Sequence, residues 1–415
     1  MQLFTPSVIC IVALPWLVAP TVGQTLPTAE PSEVGLSAER LDGVGPTVQK
    51  LIDDEKVAGV VTIIARRGKV AQFETYGMMD REAKRPMRKD TIFRIYSMTK
   101  PITSTAVMML CDEGKLKLDD PVSRYLPELE GMKTAEGNAA AKSREMSVRD
   151  LLRHTSGLPN NATVDGIFRR EGVKRISECT LKQCVENLHR VPLRSEPGTE
   201  WYYSIATDVL ARLVEVASGK PFDEFLTERI FEPLGMKDTG FVVPAEKLDR
   251  FAVNYGPKPG GGLRMTDAPA TSRFTRRPKF FSGGGGLVST ATDYMRFCLM
   301  LADKGTLDGK RLLKAETVEQ MTRNQLAEPL MPIDFASTKR DGFGFGLGFS
   351  VCVERSKWEP AARVGEYGWF GSTSTHFWIS PKDDLVVIIL TQGTFELDIV
   401  ERAVKPLVYG AIVED

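Results

Sequence analysis

Histidine is scarce in this chain: three in 415 residues, at positions 154, 189 and 376, with no H-x-x-x-H pair. A Ser-His-Asp triad therefore has few candidates for its base, and a metal centre built on histidine is not expected. No G-x-S-x-G occurs, so no nucleophile elbow is offered, and no G-x-x-x-x-G-K-[ST] occurs to cradle a phosphate. The stretch 342–348, GFGFGLG, alternates glycine inside a strand-like run and is not a phosphate loop. Lysine plus arginine total 54, as do aspartate plus glutamate, which removes any net field drawing the whole molecule to nucleic acid or an anionic membrane. Of six cysteines, Cys10 lies in an apolar leader, and the rest, Cys111, Cys179, Cys184, Cys298 and Cys352, are an odd, scattered set. That is no disulfide framework, and the C-x4-C spacing of Cys179 and Cys184 fits no common zinc or redox pattern; small buried apolar side chains are expected. No run reaches the about 20 apolar residues of a membrane-spanning helix.

What is present is ordinary globular composition, 42% hydrophobic and 26% charged, enough for a core of normal size. Residues 8–18, VICIVALPWLV, followed by small residues to Gly23, read as a secretory signal over 1–23, although no Lys or Arg precedes the run. An exported protein, periplasmic or secreted, is the expectation. Residues 41–55 have helical spacing. Two β-branched runs, 57–66 and 70–76, joined by Arg67-Gly68-Lys69, predict a β-hairpin. From Ser97 an apolar-periodic stretch runs to Gly114, a helix with a glycine end. Residues 115–282 carry helical signals at 149–152, 179–188 and 207–218 and little strand signal. Strand signals return at 343–353, 372–379 and 385–391. Strands at both ends with helices between predict an α+β protein: an antiparallel sheet flanked by helices, formed by 24–114 and 283–415, with an inserted mainly helical lobe over 115–282.

Three segments could carry chemistry. Ser97-Met98-Thr99-Lys100 is the only S-x-x-K in the chain. At a helix start it puts hydroxyl and amine on one face, and the positive helix end disfavours an ammonium, so Lys100 could serve as base for Ser97. Read alone, the same spacing also fits a capping serine followed by a solvated lysine. Tyr203, ahead of a helix over 206–218, could shuttle a proton beside a cation, or simply pack the helix end. The stretch 367–373, YGWFGST, places Trp369 and Gly371 on one face of a strand and Phe370 on the other. Gly371 is expected to let a ligand approach the strand closely, and amides of Ser97 and of this strand could together hold an oxyanion. An ordinary strand with an aromatic pair fits as well.

In this order and spacing the three segments resemble the serine β-lactamase and penicillin-binding protein superfamily, most nearly its class C-like branch with the family VIII carboxylesterases. The resemblance covers roughly residues 30–410 and includes Arg149 to Leu158 (RDLLRHTSGL), Glu196-Pro197-Gly198 and Ser282 to Asp293 (SGGGGLVSTATD). It implies Ser97 as acylated nucleophile, Lys100 as its partner on the helix, Tyr203 as the tyrosine of Y-x-N, and Trp369-Phe370-Gly371 in the place of K-T-G. Amides of Ser97 and Ser372 would form the oxyanion hole, Gly285 would line or support the cleft, and His154 would fix a turn. No cofactor or metal is implied. Ile205 stands where lactamases carry asparagine and Trp369 where they carry lysine, which shifts the implied substrate toward neutral, apolar, short-acyl esters. A true β-lactamase or D-alanyl carboxypeptidase, and a sensor or pseudoenzyme that does not turn over, are the alternatives.

Overall fold

The computed structural model describes residues 25–135, 144–393 and 396–413; the expected leader lies outside them. Eight strands form an antiparallel sheet: β1 (Gly59–Arg66), β2 (Lys69–Asp80), β3 (Arg85–Pro86), β4 (Phe343–Phe345), β5 (Ser350–Cys352), β6 (Tyr367–Gly371), β7 (Thr375–Ser380) and β8 (Leu385–Thr391), in the order β4-β5-β6-β7-β8-β1-β2-β3. The two ends of the chain meet where β1 pairs with β8, Ile63 opposite Ile388. Both strands are β-branched and buried along their whole length, as strands covered on two faces must be.

Side-chain alternation divides the core in two. Val60, Ile64, Val387 and Ile389 face the terminal helices α1 (Val44–Asp53) and α5 (Ile399–Gly410), which return Val44 and Val48, and Val400, Val404 and Val408 at four-residue spacing. Val61, Ile63, Ile388 and Leu390 face the other way, into the core that contains α2 (Thr99–Asp112), α3 (Ala206–Ser218) and α4 (Ala291–Ala302). Helix α2 is buried on every side from Thr99 to Leu110, clasped between sheet and helical region. Among the described residues no helix is long and apolar enough to cross a membrane.

Several elements differ from the sequence expectation. The helix expected over 41–55 is two, Ala38–Leu41 and α1, separated at Asp42-Gly43. The strand expected over 343–353 is broken into β4 and β5, because Gly348 adopts φ 102° and no Cβ fits beside the Ser104 hydroxyl. Residues 372–374 are a hairpin turn between β6 and β7, not the start of the later strand. A two-stranded ribbon, Asn254–Pro257 with Leu263–Asp267, lies within the mainly helical stretch, its turn at Gly260–Gly262. Helix α5, which completes the second core, carries no prior expectation. The five described cysteines are free; Cys111 is half-buried and the others are buried.

Candidate active site

Helix α2 does not begin with a capping side chain. A single 3-10 turn, Tyr96–Met98, precedes it, and Tyr96 holds the left-handed value φ 40°, rare for a residue with a side chain. The turn is pinned on several sides. Ile95 donates its N–H to Leu287 O at 3.1 Å, Tyr294 Oη donates to Met98 O at 2.8 Å, and Leu287 N donates to Thr99 Oγ1 at 3.2 Å. Ser97 is thus presented at the tip of a rigid helix, half-exposed.

One turn along, Lys100 is 6% exposed. Its Nζ donates to Gly284 O at 2.6 Å and lies 3.4 Å from Ser97 Oγ. The acceptor is itself fixed. Gly284 N donates to Asp208 Oδ1 at 3.0 Å, and Asp208 also receives the Ser282 hydroxyl at 2.7 Å and Asn161 Nδ2 at 2.9 Å. Thr103 on α2 donates to Gly283 O at 2.8 Å. Asp208, in the first turn of α3, was not among the candidates read from sequence; five residues after Tyr203, it looks there like a helix-start acid and no more.

Tyr203 meets Lys100 through its ring: Nζ stands 4.4 Å from the ring centroid, a cation–π arrangement. Its oxygen accepts from Trp369 Nε1 at 3.2 Å, and among the described residues no hydrogen bond joins it to Ser97 or Lys100. The expected three-way convergence is therefore of hydroxyl, amine and phenol face, with the phenol oxygen turned toward the indole. The reason is packing. Tyr203 lies against His154 (4.8 Å), Phe335 (5.0 Å) and Trp369 (5.4 Å), and this stack sets the ring plane. His154 takes φ 59°, and its Nδ1 accepts from Ser204 N at 3.3 Å. Burial, reinforced by the nearby charge of Lys100, holds its pKa well below the usual histidine value, so it is a neutral support beneath the tyrosine.

Strand β6 reaches the Ser97 turn from the sheet. Gly371 lies against the Ile95 carbonyl, where a Cβ would collide, and Thr373 Oγ1 donates to Arg94 O at 3.2 Å. The glycine serves approach of the chain to itself, and it sets Ser372, exposed on the following turn, beside the residues leading into Ser97. Trp369 is buried among aromatic rings on the Tyr203 side. Phe370 does not part from Trp369 as strand alternation predicts: the two rings touch, centroids 4.7 Å apart, and share Phe335, while Phe370 also stacks on His376 at 5.6 Å and lies under Arg340 at 4.4 Å. Ile205 is 1% exposed, at the N-cap of α3, donating to Pro159 O. Phe370 and Ile205 are both buried, and neither side chain is open to a substrate. Gly285 approaches Tyr96, with room for a Cβ at 3.6 Å.

Among the described residues one group with potential metal ligands, His376, Asp398 and Glu401, lies beyond Phe370. Both ring nitrogens of His376 are engaged, Nδ1 with Glu401 at 2.8 Å and Nε2 with the Leu397 carbonyl, leaving no lone pair for an ion. The thiols offer no rival nucleophile: burial pushes Cys111 and Cys352 up to about 12.

The model of the family described as Beta-lactamase matches residues 45–405. Esterase EstB of Burkholderia gladioli is 32% identical over 89% of this chain and 94% of its own. A lovastatin esterase of Penicillium rubens is 28% identical over 85% of this chain and 93% of its own. Among solved structures, EstCE1, described as a hydrolase with promiscuous acyltransferase activity, superposes with a TM-score of 0.79 at 29% identity, over 90% of this chain and 99% of that one.

Proposed function

As a member of the beta-lactamase family the chain is a serine hydrolase, and we propose that it cleaves short-acyl carboxylic esters through an acyl-enzyme on Ser97. The observation that carries this reading is the placement of Lys100 Nζ, 3.4 Å from Ser97 Oγ and anchored by Gly284 O, at the tip of a pinned helix. With one N–H held by that carbonyl, the Lys100 amine is fixed within reach of the serine hydroxyl. Ser97 Oγ attacks the ester carbonyl, its proton passes to Lys100, and the resulting ammonium rests on the Tyr203 ring face. The Tyr203 oxygen, accepting from Trp369, keeps its own O–H free to protonate the departing alkoxide. Water then attacks the acyl group and gives a proton to the Tyr203 oxygen, and Ser97 Oγ leaves with the proton held by Lys100, so that all three groups return to their starting state. Amides of Ser97 and Ser372 serve as the oxyanion donors, a role supported by the approach of β6 to the nucleophile turn.

An ester, rather than a β-lactam or D-alanyl peptide, is favoured by Trp369, an indole in the place of a cation. The test is a panel on the purified mature protein: p-nitrophenyl acetate and butyrate should be turned over, and nitrocefin slowly or not at all. Nitrocefin turnover matching the esters would replace this reading with the lactamase one. The leader over 1–23 further supports export, and N-terminal sequencing of the exported protein should begin at or near Gln24.

A further inference from the structure

A cavity of about 620 Å³ opens on the side of the 282–286 loop, the loop that anchors Lys100. Phe274 and Phe280 give it an apolar wall, and Lys174, Arg273, Arg276 and Lys279 stand exposed around it. None of these four cations has a carboxylate within ion-pair distance among the described residues, and one carboxylate, Glu178, faces them. A further rim cation, Arg277, is already paired with Asp223 at 2.7 Å. The imbalance is built into the chain: residues 268–292 contain no Asp or Glu, in a sequence whose charges otherwise cancel. Four unpaired cations crowding one apolar cavity repel one another, an arrangement relieved by an anion.

The cavity is linked to the Ser97 turn through one aromatic contact and one loop. Phe274 packs edge-on against Tyr96, centroids 5.9 Å apart at 88°, and Tyr96 directly precedes Ser97. Ser282 and Gly286, both lining residues, flank the Gly284 carbonyl that holds Lys100. We propose that this cavity is a specificity subsite for a carboxylate carried on an aryl or alkyl arm, on the alcohol side of the short-acyl ester that Ser97 attacks. The apolar wall takes the arm and the cations take the charge. Trp369 removed a cation from the sheet side of the cleft, and the positive charge is supplied instead from the 273–279 segment. The expectation of a neutral substrate weighed the sheet side alone.

The inference rests on the Ser97 esterase reading, and its test separates the two. 4-Acetoxyphenylacetate and the neutral 4-acetoxyphenylacetamide differ at the remote group only. At low salt kcat/KM should favour the carboxylate by about tenfold, the scale of one charge-assisted hydrogen bond. The ratio should fall toward one at about 1 M salt, where the screening length is about 3 Å, and in the Arg276→Gln/Lys279→Gln double variant. Independently of turnover, 4-hydroxyphenylacetate should bind Ser97→Ala in calorimetry and weaken about tenfold when the two glutamines are added. Equal turnover of the two esters, or a preference and affinity that survive the double variant, would overturn the subsite. Binding of 4-hydroxyphenylacetate without hydrolysis of either ester would overturn the esterase reading and leave the subsite standing.

Discussion

Gly283→Ala should disable the enzyme, while Gly285→Ala, two residues on, should not. A Cβ at Gly283 would lie 2.7 Å from Ala211 Cβ, 2.7 Å from Thr207 O and 3.1 Å from Thr103 Cγ2, wedged between α2 and α3. Carbon atoms in contact sit about 3.5–4.0 Å apart, so the loop or a helix must yield by roughly 1 Å. Such overpacking costs about 1–3 kcal/mol. More damaging is what moves with it: the next carbonyl, Gly284 O, is the anchor of Lys100. A displacement near 1 Å at a reacting group costs on the order of 10²-fold in rate. At Gly285 the nearest atom to a new Cβ is 3.6 Å away, an ordinary contact. The assay is kcat/KM on p-nitrophenyl butyrate, with thermal unfolding alongside. Gly283→Ala should lose about two orders of magnitude, mostly in kcat, and a few degrees in Tm; Gly285→Ala should stay within a few-fold. Wild-type activity in Gly283→Ala, or equal damage in both, would refute the argument that this loop sets the amine.

Other outcomes are as definite. Ser97→Ala should abolish turnover and Lys100→Met should lose several orders of magnitude, both with circular dichroism and cooperative unfolding retained. Trp369→Phe removes the indole donor from Tyr203 Oη and keeps most of the aromatic stack, so kcat should fall by about two- to tenfold, the worth of one hydrogen bond of about 0.5–1.5 kcal/mol, with little change in KM. His376 predicts a pH dependence of stability. Burial presses its pKa down, but the charge and hydrogen bond of Glu401 more than offset this and raise it above the usual value. A raised folded-state pKa contributes stability that is fully present below about pH 6.5 and is lost as pH climbs through the folded value. Unfolding midpoints measured from pH 6 upward should decline by this contribution in the wild type, and His376→Gln should remove that part of the slope.

The parts of the structure legible in the sequence are those written in local chemistry. The β1–β2 hairpin follows from two β-branched runs around Arg67-Gly68, α2 ends where Gly114 takes φ 74°, and the S-x-x-K spacing alone puts Ser97 and Lys100 on one face. What it concealed depends on contacts between distant segments. Asp208 matters because the 282–284 segment folds onto it, 74 to 76 residues away in sequence. The Tyr203 oxygen faces Trp369 because residues 154, 335 and 369 fix its ring, and no window around Tyr203 contains them. The break at Gly348 answers to Ser104 on α2. The cavity charge lies in plain sight at 273–279, yet its meaning requires knowing that this segment borders the nucleophile turn.

The central claim is that Ser97 carries the acyl group during turnover. Rapid acid quench after mixing with p-nitrophenyl acetate, followed by digestion and mass spectrometry, should find one acetyl group per chain, on the peptide containing Ser97 and absent from Ser97→Ala. Steady ester hydrolysis with the acetyl group on another side chain would contradict the claim, as would undiminished hydrolysis by Ser97→Ala.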